Sequence, residues 1–268
     1  PSAESYYNLA LAQYQNALAW PCMYSLRFLL KLDPAFSQAV GLLTQLIAKL
    51  LFDTEAYEQF KRLLMQHSED AFYHLCLGLF YYAHLERKVA ARYFRDALYW
   101  NPRLSGAYQL LIYSLQTNGE YAQSLDIARR LMDYLSTPLS LLDLISSMQK
   151  PIPSSQAESE QLRDELEQLF SENMNVCSSI NVPLLSMNIP FYTVYQYGND
   201  RVLQEKMAGF FSHLVKKIPP KRHTEKRVRL GIVSQHLFKH SVMDLLCRAL
   251  MTVLGSTCFE TYIFTLKQ

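Results

Sequence analysis

The sequence lacks an excess of charge of either sign. It carries 26 lysines and arginines against 24 aspartates and glutamates, a net charge of +2. Binding of nucleic acid or of an anionic membrane through overall charge needs a strongly basic surface, so the composition excludes it. The one basic run, KKIPPKRHTEKRVR at 216–229, contains no aromatic residue, and we interpret it as a solvated linker. We expect no nucleic-acid partner.

Long hydrophobic runs and paired cysteines are also missing. No apolar run reaches the roughly 18 residues that a membrane span requires, so we expect no membrane-spanning segment. The five cysteines are spread from Cys22 to Cys258 without a Cys-x-x-Cys pair or zinc-ligand spacing. This argues against a disulfide or metal framework and favours a reducing compartment, the cytoplasm. We expect no metal and no cofactor bound by these residues.

A repeat of 34 residues is present in the first half of the chain. Asp33-Pro34 and Asn101-Pro102 are 68 residues apart, since 101 − 33 = 68, which is twice 34. Cuts at this interval bring apolar and small residues into register and match the tetratricopeptide pattern. We predict an α-solenoid over 3–150, made of a capping helix and four units: 3–36, 37–70, 71–104 and 105–138.

The third unit shows the physical reason for the pattern. Gly78 and Ala90 are small where two antiparallel helices are predicted to cross, so the backbones can approach closely. Tyr81 and Phe94 fill the space beside that crossing. Pro102 then ends the second helix of the unit.

The first helix of each unit is predicted to line the concave face of the solenoid. In the third and fourth units this gives seven candidates for contact with a protein or peptide: Phe72, Leu75, Leu79, Tyr82, Gln109, Tyr113 and Gln116. Two interpretations stay open. These side chains either pack beneath neighbouring helices or form the wall of a peptide-binding groove.

The chain changes character after residue 150. The stretch 151–226 is predicted to be a linker and helical segment, with helices near 156–173 and 200–216. Val228–Ser234 is predicted to be a buried strand, 241–254 a helix and 259–266 a second strand. This order is that of a parallel βαβ unit. We therefore expect 227–268 to be the start of a Rossmann-like lobe that continues beyond Gln268.

Two histidines follow the first predicted strand. His240 lies past the carboxyl end of that strand, where ligands bind in open α/β sheets. It also precedes a helix whose dipole keeps an imidazole neutral, so it suits an acid/base or orienting role. A loop histidine held by the backbone is the alternative. His236 would complete an H-x-x-x-H pair, but no third ligand is visible, and we expect no metal there.

Two segments resemble glycosyltransferase family 41, the O-GlcNAc transferase and SPINDLY-like enzymes, which include bacterial members. PFYTVYQYGNDRVLQEKMAGFF at 190–211 is similar to the region that precedes the catalytic core. RVRLGIVSQHLFKHSV at 227–242 is similar to the first catalytic-lobe strand and histidine loop. The resemblance covers the front part of such an enzyme. It implies a mostly α chain: a tetratricopeptide solenoid, a helical linker and the start of a GT-B catalytic lobe.

The resemblance also implies an activity. Such an enzyme transfers a sugar, typically N-acetylglucosamine, from a UDP-sugar to Ser/Thr of proteins held by the repeats, with the remaining catalytic domain in cis. It implies that His240 is catalytic, whereas donor-binding residues belong to a second lobe and stay unknown. The 268 residues alone are expected to be inactive. Two alternatives stay open: a tetratricopeptide scaffold without catalysis, and a cytoplasmic N-glucosyltransferase.

Overall fold

The computed structural model describes residues 2–173, 201–211, 228–234 and 259–265. The chain divides into two compact units, Pro1–Val215 and Lys216–Gln268. The described helices belong to the first unit and the described strands to the second. No helix within these described ranges is long and apolar enough to cross a membrane.

Eight helices of the first unit repeat at an interval of 34 residues. The first helix of each successive pair begins at residue 3, 37, 71 or 105. In chain order the helices are α1 Ala3–Gln15, α2 Ala19–Leu32, α3 Ser37–Lys49, α4 Thr54–Gln66, α5 Ala71–Ala83, α6 Arg87–Trp100, α7 Ser105–Thr117 and α8 Tyr121–Tyr134. This interval and the helix-turn-helix order are those of the tetratricopeptide repeat. The predicted repeat is confirmed.

The turn inside three of the pairs depends on one residue in the left-handed conformation. Ala17, Leu85 and Gly119 have φ values of 58°, 64° and 80°. They hold the same place in their units, since 85 − 17 = 68 and 119 − 85 = 34. Glycine adopts this conformation freely, whereas a residue with a Cβ is strained in it. Leu51, at the same place in the second unit, has no positive φ.

The second unit is packed differently from its neighbours. Helix α1 packs on α2, α5 on α6 and α7 on α8. Helix α3 instead packs mainly on α5 and α2, with smaller contacts to α1 and α7, and α4 packs on α5. Two features of the sequence accompany this change. Leu51 lacks the left-handed turn, and Thr44 stands where the third unit has Gly78. The helix order of the repeat therefore persists in this unit, but the pairing of its two helices does not.

Helices α5 and α6 meet at Gly78. A Cβ atom placed on Gly78 would lie 2.5 Å from Cε1 of Phe94, closer than real side chains approach. Phe94 and Ala90 are fully buried at this crossing. The prediction that a glycine lets these two helices approach, with Phe94 filling the adjacent space, is confirmed.

Two further helices continue the order of the array. Adding 34 to the starts of α7 and α8 gives 139 and 155, and α9 (Pro138–Ser147) and α10 (Gln156–Glu172) begin at 138 and 156. Side chains such as Ile145 of α9 and Phe170 of α10 share one apolar core with α8. The sequence predicts a linker and helical segment over 151–226, with helices near 156–173 and 200–216. In the structure, α10 contributes to the same core as the repeats because its apolar stripe faces α8 and α9.

Helix α11 (Arg201–Phe211) packs on α10. The rings of Phe210 and Phe170 are 5.2 Å apart and meet edge to face. At the rim of this contact, Nζ of Lys206 lies 3.0 Å from Oε2 of Glu167. An aromatic pair with a salt bridge at its edge thus holds the two helices together.

The described part of the second unit is a pair of parallel strands. β1 (Val228–Ser234) and β2 (Phe259–Thr265) pair in register, from Val228 opposite Phe259 to Ser234 opposite Thr265. Both strands lie where the sequence predicts them. The predicted helix 241–254 lies outside the described residues, so a Rossmann-like lobe is not shown.

Candidate protein-binding surface

The seven predicted groove residues divide into two groups in the structure. Phe72, Leu75 and Leu79 of α5 are buried and belong to the apolar core. The other four keep accessible surface: Tyr82, Gln109, Tyr113 and Gln116. Tyr113 is the most open of these, with 40% of its surface exposed. The surface available to a partner therefore lies at the end of α5 and along α7.

The burial of α5 follows from the way its neighbours close around it. Helix α5 contacts α3, α4 and α6, and α3 also reaches α7. At that last contact a Cβ atom on Gly106 would lie 2.5 Å from Cγ2 of Val40. The sequence of α5, AFYHLCLGLFYYA, is apolar on every face, which is typical of a helix enclosed on all sides. That composition could have assigned Phe72, Leu75 and Leu79 to the core.

Tyr82 forms the aromatic end of the accessible surface. The guanidinium of Arg87 lies 3.6 Å from the centre of the Tyr82 ring, and the ring of Tyr113 lies 5.9 Å from it. Arg87 also donates a hydrogen bond to the backbone carbonyl of Tyr82. Burial raises the pKa of the Tyr82 hydroxyl. The Tyr82 ring is thus held by Arg87 and contacts the ring of Tyr113, which is the more exposed of the two residues.

A row of polar side chains joins α7 to α9 beside these rings. Nε2 of Gln109 donates to Oδ2 of Asp143 at 3.0 Å. Two turns further along α7, Nε2 of Gln116 donates to Oγ of Ser147 at 3.4 Å. Ser147 in turn donates to the backbone carbonyl of Asp143 at 2.8 Å. Polar side chains thus form this contact between α7 and α9, whereas apolar side chains surround α5.

Asp143 is the ionisable group in this row. Asp143 is half-buried. This burial raises the pKa of its carboxyl to about 7, because it disfavours the charged form, and the hydrogen bond from Gln109 offsets only part of that effect. No salt bridge to Asp143 is present in the described part of the chain. The carboxylate is therefore held in a poorly solvated place, and none of the described residues supplies a cation that neutralises it.

Asp143 and Ser147 are not among the predicted groove residues, because the sequence after residue 138 is interpreted as a capping helix. A signal was available. Since 109 + 34 = 143 and 113 + 34 = 147, the two residues stand where Gln109 and Tyr113 stand one unit earlier. A fifth cut at 139 would have placed them among the groove candidates.

A separate cleft of about 530 Å³ lies beside the start of α5. Three of the charged side chains that line it are paired with one another: Arg27 donates Nε and Nη2 to Oδ2 of Asp70 at 2.9 and 2.6 Å, and Nζ of Lys31 lies 3.2 Å from the same oxygen. Burial by itself would raise the pKa of Asp70, but hydrogen bonds from Arg27 and the Phe72 N–H hold it below its usual value. This cluster ties α2 to α5, so we assign it a structural role.

His240 and His236 lie outside the described residues, so the predicted catalytic role of His240 stays a prediction. Within the described ranges no group of three or more His, Cys, Asp or Glu side chains is placed to hold a metal ion. Cys22 and Cys76 are buried free thiols. Burial raises the pKa of Cys22 to about 11, which leaves it protonated and unreactive.

Comparison with known proteins identifies no family. The sequence matches no protein-family profile and no curated protein. Among solved structures, the chain is similar to PilF of Pseudomonas aeruginosa, with 19% identity, coverage of 79% of this chain and 90% of that chain, and a TM-score of 0.44. It is also similar to a thermophilic tetratricopeptide protein of Thermus thermophilus, with 16% identity, coverage of 69% and 96%, and a TM-score of 0.43. These values carry no argument about function, and nothing among them supports the glycosyltransferase resemblance.

Proposed function

We propose that the helical array is a protein-interaction module that holds an extended segment of another protein along α7 and α9. The observation that carries this proposal is the accessible row formed by Tyr113, Gln109 and Gln116 with Asp143. An exposed aromatic ring supplies contact area with little loss of side-chain freedom. Glutamine amides can donate to and accept from a peptide backbone. The row therefore combines an apolar anchor with groups that hydrogen-bond an extended chain.

A peptide selection tests this function. Peptides displayed on phage would be selected against the 268-residue chain, and their affinity measured by fluorescence anisotropy. Tyr113→Ala should weaken binding about tenfold or more, because truncating an aromatic anchor costs a binding site about 1–2 kcal/mol or more. Tyr99→Ala is the control, since Tyr99 is 76% exposed on α6. Selected peptides that bind Tyr113→Ala as tightly as the unchanged chain would refute the site.

A second candidate function is that of the front portion of a protein glycosyltransferase. The observation that favours it is the parallel pair β1 and β2, joined by residues 235–258. Parallel neighbours need a crossover of a dozen or more residues, usually with a helix, as in the first βαβ unit of a Rossmann-like lobe. The resemblance of 190–211 and 227–242 to family 41 supports the same candidate. In that function the array would present protein substrates, and the donor would be a UDP-sugar.

Transfer of radiolabelled N-acetylglucosamine from UDP-N-acetylglucosamine to serine- and threonine-containing peptides tests this second candidate. The assay uses the natural full-length protein beside the 268 residues alone. We expect transfer by the former only, because the donor site of the resembled family lies in a second lobe. A full-length protein that binds peptides but transfers no sugar would leave the scaffold function standing alone.

A further inference from the structure

Asp143 carries a charge that the packing of α9 does not require. Its one hydrogen bond to a side chain, from Gln109, needs only an acceptor oxygen, which an asparagine amide would supply equally well. Asp143 is half-buried, and removing a carboxylate from water, even in part, is unfavourable unless a partner compensates for the lost hydration. Ionisable groups held in such surroundings are typical of binding and catalytic sites. The structure thus points to a ligand that supplies the missing partner.

The groups around Asp143 leave that place open to a cation. The polar side chains beside it on α7 and α9 are the neutral Gln109, Gln116 and Ser147. The lysine that follows α9, Lys150, is engaged by Glu158 at 3.0 Å. No described cation therefore neutralises Asp143.

Tyr113 completes the geometry. It lies four residues after Gln109 on α7, so the two side chains project from the same face of the helix, one turn apart. Its ring is 40% exposed. An aromatic ring one helical turn from the residue that binds a carboxylate suits a long cationic side chain, because the ring attracts the positive charge and covers the aliphatic stem.

We propose that Asp143 selects the guest of this groove by its charge, binding a lysine or arginine side chain of the partner protein between the Asp143 carboxylate and the Tyr113 ring. The inference rests on the proposed protein-interaction function and adds the chemical class of the segment that is bound. Charge-assisted hydrogen bonds to the carboxylate supply the selectivity. The chain as a whole is slightly basic, with a net charge of +2, so general electrostatic attraction does not account for a preference for basic peptides.

The test uses three fluorescein-labelled peptides of equal length: alternating serine and lysine, the same peptide with every lysine acetylated, and the same peptide with glutamate in place of lysine. Anisotropy titrations with the unchanged chain should show the lysine peptide binding about tenfold more tightly than the acetylated one, and the glutamate peptide weakest. Tenfold is what one charged hydrogen bond typically contributes. This comparison needs no variant of the protein.

Asp143→Asn should remove the preference while keeping the hydrogen bond from Gln109 and the fold, which circular dichroism would verify. The matched control is Asp133→Asn, which removes the same charge from an exposed place on α8. Equal binding of the lysine and acetylated peptides by the unchanged chain, or a preference that survives in Asp143→Asn, would overturn the inference and leave the interaction function intact. Failure of all three peptides, together with failure of the phage selection, would overturn both.

Discussion

At the scale of single residues, Asp143 links the groove to the stability of the fold. The pKa of its carboxyl rises from 3.8 to about 7 on folding, so the folded state holds the proton more tightly than the unfolded state. The stabilising contribution is complete below about pH 4 and is lost as pH rises through about 7. A shift of this size corresponds to at most about 4 kcal/mol.

We therefore expect the free energy of unfolding of Asp143→Asn to exceed that of the unchanged chain increasingly between about pH 4 and 7, by an amount on the order of a few kcal/mol. Urea titrations followed by circular dichroism at several pH values would measure the difference. Asp133→Asn provides the comparison for an exposed acid. Curves that stay parallel across this pH range would show that Asp143 is solvated like an ordinary carboxyl.

Leu85 offers a second test at this scale. Its φ of 64° is strained for a residue with a Cβ, and its side chain is 74% exposed, so little packing is lost on truncation. Leu85→Gly should raise the free energy of unfolding by about 1 kcal/mol. Leu51→Gly, at the same turn position without a positive φ, should lower it by about 0.5–1 kcal/mol through the entropy of the unfolded chain. Thermal melts that move both variants in the same direction would contradict the assignment of strain to Leu85.

At the scale of helices, some glycines allow two helices to approach closely, whereas others have no neighbouring atoms that would require a glycine. Gly78→Ala would force a Cβ into the ring of Phe94, which is fully buried and cannot move aside. Overpacking costs about 1–3 kcal/mol and should outweigh the gain of about 1 kcal/mol in helix propensity. Gly41 is the matched control, because nothing lies within 4 Å of an added Cβ there. Denaturant melts should show a lower free energy of unfolding for Gly78→Ala and a higher one for Gly41→Ala. Equal changes in the two variants would refute the close crossing of α5 and α6.

The helix order could be predicted from the sequence, whereas part of the packing could not. Gly78 and Phe94 fall at repeat positions, so local spacing was enough to place their helices. The contact of Val40 with Gly106 joins residues far apart in the chain and has no local signature. The position of Asp143 was predictable from the 34-residue spacing. That none of the described residues pairs with its charge depends on tertiary packing and could not be predicted. His240 was predicted from its position and from a family resemblance, and it lies outside the described residues.

At the scale of the whole molecule, the glycosyltransferase candidate makes His240 its decisive residue. In the natural full-length protein, His240→Ala should lower kcat/KM at least tenfold, about 1.4 kcal/mol of lost transition-state stabilisation, with little change in Tm. His236→Ala should have a milder effect, since the resemblance gives that residue no role. Sugar-transfer kinetics and thermal melts on both variants would separate a catalytic from a structural histidine. A His240→Ala protein that melts early yet turns over normally would refute the catalytic assignment.

Contacts between helices that are not neighbours in the chain also determine how the array responds to force. In most helical repeats each unit contacts only the next, so under tension the units can unfold one after another. Here Arg27 of α2 binds Asp70 at the start of α5, and Val40 of α3 contacts Gly106 of α7. When the two ends of the array are pulled apart, these contacts would have to break before any one helix pair could unfold. Helices α1 to α8 should then unfold together in one step, which optical tweezers would record as one long extension.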